Sequence, residues 1–113
     1  MNLAGMIYKV LERSEEELLL EIHLKPEFEY FEGHFDDFKL LAALIQIKLS
    51  IDFANEFFPI KLNPASIPKV KCSNPIKPNK NINLSLKWNR EKSVMNFEYL
   101  DNQKTYSMGE LSI

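Results

Sequence analysis

Leu18, Leu20, Ile22 and Leu24 recur at every second position of Glu17–Leu24, the period of a strand with one buried face. Met6–Glu12 is a second short apolar-rich stretch, and the charged run "ERSEEE" between the two reads as a solvated turn. Pro26 ends this pair of predicted strands, because proline cannot donate to a ladder. The loop beyond it carries Phe28, Tyr30, Phe31, Phe35 and Phe38, five aromatics in eleven residues. Exposed loops rarely carry so many, so two readings stand: the rings line a cleft, or they anchor the loop on the core.

The spacing changes over Leu40–Phe57. Leu40, Leu41, Leu44, Ile45, Ile47, Leu49, Ile51 and Phe53 cover most of a helical circumference, while Lys48, Asp52, Asn55 and Glu56 share one narrow stripe. This predicts one long helix wrapped by other elements. Pro59 closes it, and Pro64 and Pro68 make the next connection irregular. Alternation then returns. Val70–Ser73 predicts a short strand, and the turn-rich "NPIKPNK" follows. Ile82, Leu84, Leu86 and Trp88 form one face of Asn81–Trp88, and Met95, Phe97 and Tyr99 one face of Ser93–Leu100. Lys104–Ile113 completes an antiparallel meander through the breaks "NREK" and "DNQ". Two strands, one buried helix and three or four further strands predict a single α+β domain over residues 1–113, an antiparallel sheet curled around one long helix.

Composition removes several function classes. Fourteen basic residues against sixteen acidic ones do not make the basic footprint of a nucleic-acid binder. Cys72 is the only cysteine, and His23 and His34 stand eleven residues apart, so neither an internal disulfide nor a metal site is expected, and no cofactor is implied. The apolar stretch from Leu40 to Phe58 is broken by Lys48, Asp52 and Glu56, too polar for a membrane span. The start of the sequence lacks the basic-then-apolar pattern of a signal peptide, so a reducing cytoplasm is the expected location. A domain this short buries a modest share of its surface, and an oligomer would add to it. Cys72 is expected to be a small buried hydrophobe and Trp88 a packing residue of the sheet face. Lys69, Lys71, Lys77 and Lys80 make a local basic cluster, either a solvated loop or a surface that steers an acidic partner.

The stretch "YFEGHFDDFKLLAALIQIK", residues 30–48, resembles a family pattern, F-x-G-H-F-P-G-x-P-x-L-P-G-V-x-Q-x-D/E. It belongs to the hotdog-fold β-hydroxyacyl-acyl-carrier-protein dehydratases, and the likeness is greatest to their short aryl-polyene-type (ApeI-like) members. Tyr30, Phe31, Gly33, His34, Phe35, Leu41 and Gln46 fall in register. "PKVKCSNPIKPNKNINLSLKW" is similar to the family's next two strands, and "FEYLDNQKTYSMGELSI" to its closing hairpin, where Y-S-x-G is common. The resemblance implies a hotdog domain that dimerises by aligning two sheets edge to edge, or a larger even oligomer. It also implies an acyl thioester, carried on an acyl carrier protein, as substrate in fatty-acid or related lipid synthesis.

In that family a histidine removes the α-proton of a 3-hydroxyacyl thioester. A carboxylate on the partner subunit's central helix protonates the departing hydroxyl. A backbone N–H at the helix start holds the thioester oxygen as charge builds on it. His34 matches the histidine, and Gly33, Phe35, Phe31 and Ala43 are the implied substrate-binding positions. Three departures stand out. Asp36-Asp37 replaces one P-G pair, and Ala42-Ala43 replaces another. Lys48 replaces the carboxylate, fourteen residues after the histidine. An ammonium with an ordinary pKa near 10.4 is a poor acid, and facing His34 it would disfavour the imidazolium. Asp36 and Asp37 would do the opposite and hold His34 in its charged form. Asp52 lies one helical turn beyond Lys48, about 6 Å along the axis, close enough to pair with it or to take its place. Alternatively, Lys48, Asp52 and Glu56 form a solvated stripe with ordinary i, i+4 pairing.

The resemblance thus supports a dehydratase-like hydro-lyase with His34, Lys48 and Asp52 in catalytic positions. The alternative is a non-catalytic hotdog protein that binds acyl thioesters or partners an active dehydratase. Thioesterase chemistry shares the fold, but its usual helix carboxylate or Asn/Asp–Gly pair is not evident.

Overall fold

The alternating rows form strands, and the apolar stretch between them forms a helix. The computed structural model describes residues 7–24, 43–60, 62, 69–76 and 80–112. In chain order these give β1 (Ile7–Arg13), β2 (Glu17–Leu24), α1 (Ala43–Phe57), β3 (Lys69–Cys72), β4 (Lys80–Asn89), β5 (Val94–Leu100) and β6 (Thr105–Ser112). The strands make one sheet in the order β1-β2-β4-β5-β6-β3, every neighbouring pair antiparallel. The expected meander is β4-β5-β6. The predicted strand boundaries hold to within a residue or so, and residues 40–42 of the predicted helix lie outside the described residues.

Register places the apolar rows side by side. One row runs Leu18–Leu86–Phe97–Gly109–Val70, and the next runs Leu20–Leu84–Tyr99–Ser107–Cys72. Ile22 stands opposite Ile82. Helix α1 lays Leu49, Phe53 and Ala54 on these rows, and Phe58, Leu62 and Ile76 close the core. Each large apolar side chain buried this way stabilises the fold by ~1.5–3 kcal/mol before chain entropy is counted. Asn55 secures the exit of the helix, its Oδ1 accepting the Leu62 N–H at 2.9 Å.

Turns are fixed by local side-chain acceptors. The Glu17 N–H donates to Ser14 Oγ at 3.1 Å at the first hairpin. Asp101 Oδ1 accepts the N–H groups of Gln103 and Lys104 at 2.8 and 3.0 Å, the arrangement for which aspartate is favoured in turns. Ser93 sits at φ 54° in the β4–β5 turn, a left-handed conformation rare for a non-glycine residue.

Two strands carry bulges. In β6, Tyr99 faces Ser107 while Leu100 faces Thr105, so Tyr106 is the extra residue, and Tyr106 and Ser107 are both buried. In β1, Val10 faces Leu20 and Glu12 faces Leu19, which leaves Leu11 as the extra residue.

Two expectations change. The helix is covered along one side rather than all round: Gln46, Leu49, Ser50, Phe53 and Ala54 are buried, whereas Ile45, Ile47, Ile51 and Phe57 are partly buried. One sheet face can cover only one side of a cylinder. Cys72 is exposed, not buried, because it ends the four-residue edge strand β3, which has a neighbour on one side only. Trp88 does pack against the core, though only partly buried, since the sheet ends at the adjacent hairpin. Lys69 and Lys71 are exposed on β3; Lys77, the side chain of Lys80 and the loop aromatics lie outside the described residues. Among the described residues no helix is long and apolar enough to cross a membrane.

Gly109 is required by a close approach. A Cβ there would lie 2.3 Å from the Lys69 carbonyl oxygen and 2.8–2.9 Å from the Phe97 ring. The oxygen belongs to the backbone and can yield only by moving β3. Gly109→Ala is therefore expected to destabilise the domain by ~1–3 kcal/mol, measured as a lower urea midpoint.

Candidate active site

A buried polar junction seats the N-terminal half of α1 on the sheet. Gln46 and Ser50 share one helix face, four residues apart, and that face is buried. The Tyr99 hydroxyl, from β5, donates to the Gln46 carbonyl oxygen at 2.7 Å. Ser50 Oγ donates to the same oxygen at 2.8 Å and lies 3.0 Å from the Tyr99 hydroxyl. Ser107 Oγ, from β6, donates to Gln46 Oε1 at 2.5 Å. Two adjacent strands thereby hold one residue of the helix by its main chain and its side chain. Among the described residues, no buried side-chain nitrogen or oxygen lacks a partner.

Burial raises the Tyr99 pKa far above the ordinary tyrosine value. The Ser50 hydrogen bond opposes this, and the negative charge of Asp52 adds to it. The phenol therefore remains a neutral donor throughout the physiological range. The influence of Asp52 also puts that carboxylate within electrostatic reach of the junction.

Lys48 and Asp52, one turn apart on α1, are brought together: Nζ lies 2.7 Å from Oδ2, with the side chains 49% and 17% exposed. The expected pairing is present. Such an i, i+4 pair contributes about 0.3–0.5 kcal/mol. Its larger consequence is geometric, because the pair engages Asp52 Oδ2 and the Lys48 ammonium with each other. The helix carries no acidic residue in its first turn. Ala43 opens the described helix, but its side chain, like His34, Gly33, Phe35 and Phe31, lies outside the described residues. Among the described residues no group of His, Cys, Asp and Glu could hold a metal ion.

The sequence reading missed the junction as a unit. Gln46 was noted only for its register with the family pattern, and Tyr99 only as apolar packing. Two polar residues four apart in an otherwise apolar helix stripe were the available signal.

Known proteins share this fold. The family described as ApeI dehydratase (ApeI-like) matches residues 10–110. A chain of the dehydratase heterocomplex ApeI:P from Xenorhabdus doucetiae superposes with a TM-score of 0.82 at 27% identity, covering 92% of both chains. An uncharacterised protein from Erwinia carotovora subsp. atroseptica superposes with a TM-score of 0.74 at 25% identity, covering 94% of this chain and 90% of that one. Zebrafish thioesterase superfamily member 2, at 12% identity and a TM-score of 0.65, covers 92% of this chain and 78% of that one and shares the fold alone. No curated protein sequence matches.

The junction generates a prediction in two parts. Tyr99→Phe removes one donor but leaves the Gln46 carbonyl bonded to Ser50, so the loss is expected to be about 1 kcal/mol. The pH dependence follows from the raised pKa. The contribution of Tyr99 is fully present below the unfolded tyrosine value of about 10. It declines above that, because the unfolded chain loses the proton while the folded chain keeps it. Urea midpoints across alkaline pH should fall less steeply in Tyr99→Phe. Phenolate absorbance should show one tyrosine fewer ionising only on unfolding in Tyr99→Phe than in the wild type.

Proposed function

Because this chain belongs to the ApeI-like dehydratase family, we propose that it acts on 3-hydroxyacyl thioesters carried by an acyl carrier protein, in fatty-acid or related lipid synthesis. The observation that carries this reading is the match over residues 10–110, which embraces the G-H-F stretch around His34 and the whole of α1. In the proposed site His34 takes the α-proton. The backbone at Ala43 receives developing charge on the thioester oxygen, a task that needs an amide rather than a glycine. Gly33, Phe35 and Phe31 border the acyl chain. A second protomer, aligned edge to edge, would bring His34 of one chain towards Lys48 and Asp52 of the other. The exposed Lys69 and Lys71 suit an acidic carrier protein.

A second reading rests on the ion pair. Lys48 stands where the family's acid is expected, and it is salt-bridged to Asp52. The likeness at 27% identity to a chain of a dehydratase heterocomplex favours a non-catalytic partner whose companion supplies the acid.

Enoyl-thioester hydration, followed by absorbance, separates the two. With catalysis intact, the wild type turns over and His34→Ala lowers the rate by about 10²–10⁴-fold. A silent wild type that gains activity as Lys48→Glu marks a scaffold lacking only its acid. If both are silent, and a second hotdog chain carrying a helix carboxylate restores turnover, the partner reading holds.

A further inference from the structure

Strand β1 is one edge of the sheet, and all seven of its residues are exposed. Ile7, Tyr8, Val10 and Leu11 are four of the five large hydrophobics exposed among the described residues, at 36–48%. An edge this apolar is a template for pairing with another chain, and proteins usually blunt such edges with lysines and bulges. β1 has both, in Lys9 and the extra residue Leu11. Here, however, the two devices make the strand complementary to itself.

The β1–β2 register fixes which way each side chain faces. Tyr8, Val10 and Arg13 stand opposite Ile22, Leu20 and Leu18, whose side chains are buried beneath the helix. Tyr8 meets the Phe53 ring edge-on, with centroids 5.1 Å apart, and the Arg13 guanidinium lies 5.2 Å from the Phe57 ring centroid. Lys9 and Glu12 stand opposite Glu21 and Leu19 and so face the other side of the sheet. Counting back from Glu12 at period two, Leu11 faces inward beside Val10. The bulge in β6 sets a precedent within this chain, with the consecutive residues Tyr106 and Ser107 both buried. From Tyr8 to Arg13 the facings therefore read in, out, in, in, out, in. This sequence is symmetric about the midpoint between Val10 and Leu11.

We propose that β1 pairs antiparallel with β1 of a second copy of this chain, about a two-fold axis between Val10 and Leu11. In this register Val10 faces the partner's Leu11, Lys9 the partner's Glu12, and Tyr8 the partner's Arg13. Directly opposite residues of an antiparallel pair share a face, and every one of these pairs does so. Without the bulge the same pairs would set inward side chains against outward ones. Each interface forms two Lys9–Glu12 pairs of opposite charge, and neither residue enters the ion pairs seen among the described residues. The four apolar side chains at the axis lose their exposure. The self-match identifies a second copy as the occupant, because an unrelated edge strand would have no reason to meet this facing order and charge order together. β3, the other edge, is four residues long, and pairing it with a second copy about Val70 would oppose its two exposed lysines, Lys69 and Lys71.

Charge reversal tests the register. Lys9→Glu and Glu12→Lys each oppose like charges twice per interface and should weaken self-association by about tenfold or more. The double variant Lys9→Glu/Glu12→Lys restores opposite charges and should recover it. The readout is mass by light scattering over a concentration series. In a Cys72→Ser background, Leu11→Cys should oxidise to a disulfide-linked dimer, because the two positions flank the axis. Ile7→Cys should not, since the two copies of residue 7 would lie about 23 Å apart along the strands. Single reversals that leave association unchanged would overturn the proposal, as would a double variant no better than either single one, or cross-linking through residue 7 equal to that through residue 11. Association through β3, the other edge of the sheet, would survive such a result, and the functional reading is tested separately by turnover.

Discussion

The carbonyl oxygen of Gln46 is the point on which the placement of the helix depends. A sheet of alternating apolar residues offers a helix many nearly equivalent seats, because the hydrophobic effect carries no direction. Leu49, Phe53 and Ala54 would bury comparable area if α1 slid or rotated by a small amount. The hydrogen bonds from Tyr99 and Ser107 do not permit this. Any slide strands a buried hydroxyl or amide, at a cost of about 1–3 kcal/mol for each group left unsatisfied. The junction lies just inside the start of α1. Apolar burial supplies most of the stability, and this small polar set supplies the register.

The sheet contributes the complementary constraint. Tyr99 and Ser107 are paired across β5 and β6, and Gly109 sits two residues further along, where the Phe97 ring and the β3 backbone close in. The bulge at Tyr106 adds an inward side chain in this region. One short segment, Tyr106–Gly109, thus provides a core aromatic, a donor to the helix and the seat for the edge strand. Its resemblance to a Y-S-x-G family pattern has a physical basis here. A residue bulkier than glycine meets the Lys69 carbonyl, and an apolar residue at Ser107 removes the donor that Gln46 Oε1 accepts.

Much of this was legible in the sequence because period two and period 3.6 are hard to confuse over eight or more residues. Leu18, Leu20, Ile22, Ile82, Leu84, Leu86, Met95, Phe97 and Tyr99 were read on the correct face of the correct strands, and Lys48 was read with Asp52. Cys72 was misread because a strand's composition does not reveal whether it lies at an edge. The helix was expected to be wrapped because its apolar positions span most of its circumference; Ile47 and Ile51 remain partly exposed in a single chain. The bulges left no mark in composition. The polar junction was hidden because hydroxyl groups from β5 and β6 meet α1 only once the sheet order is known.

The Lys48–Asp52 pair sharpens the chemical question. A general acid must point its proton at the leaving group, and Asp52 Oδ2 and Lys48 Nζ are turned towards each other. One group cannot serve both roles well unless the pair breaks. On the proposed function, the pair occupies the place on the helix where the family's acid is expected. Under the proposed function, a site with a base and no acid would bind a 3-hydroxyacyl thioester and would lack the proton that lets hydroxide leave as water. Supplying that proton from another chain would restore the pair of functions without altering the fold. For this chain, the identity of the neighbouring subunit is therefore as much a chemical question as a structural one.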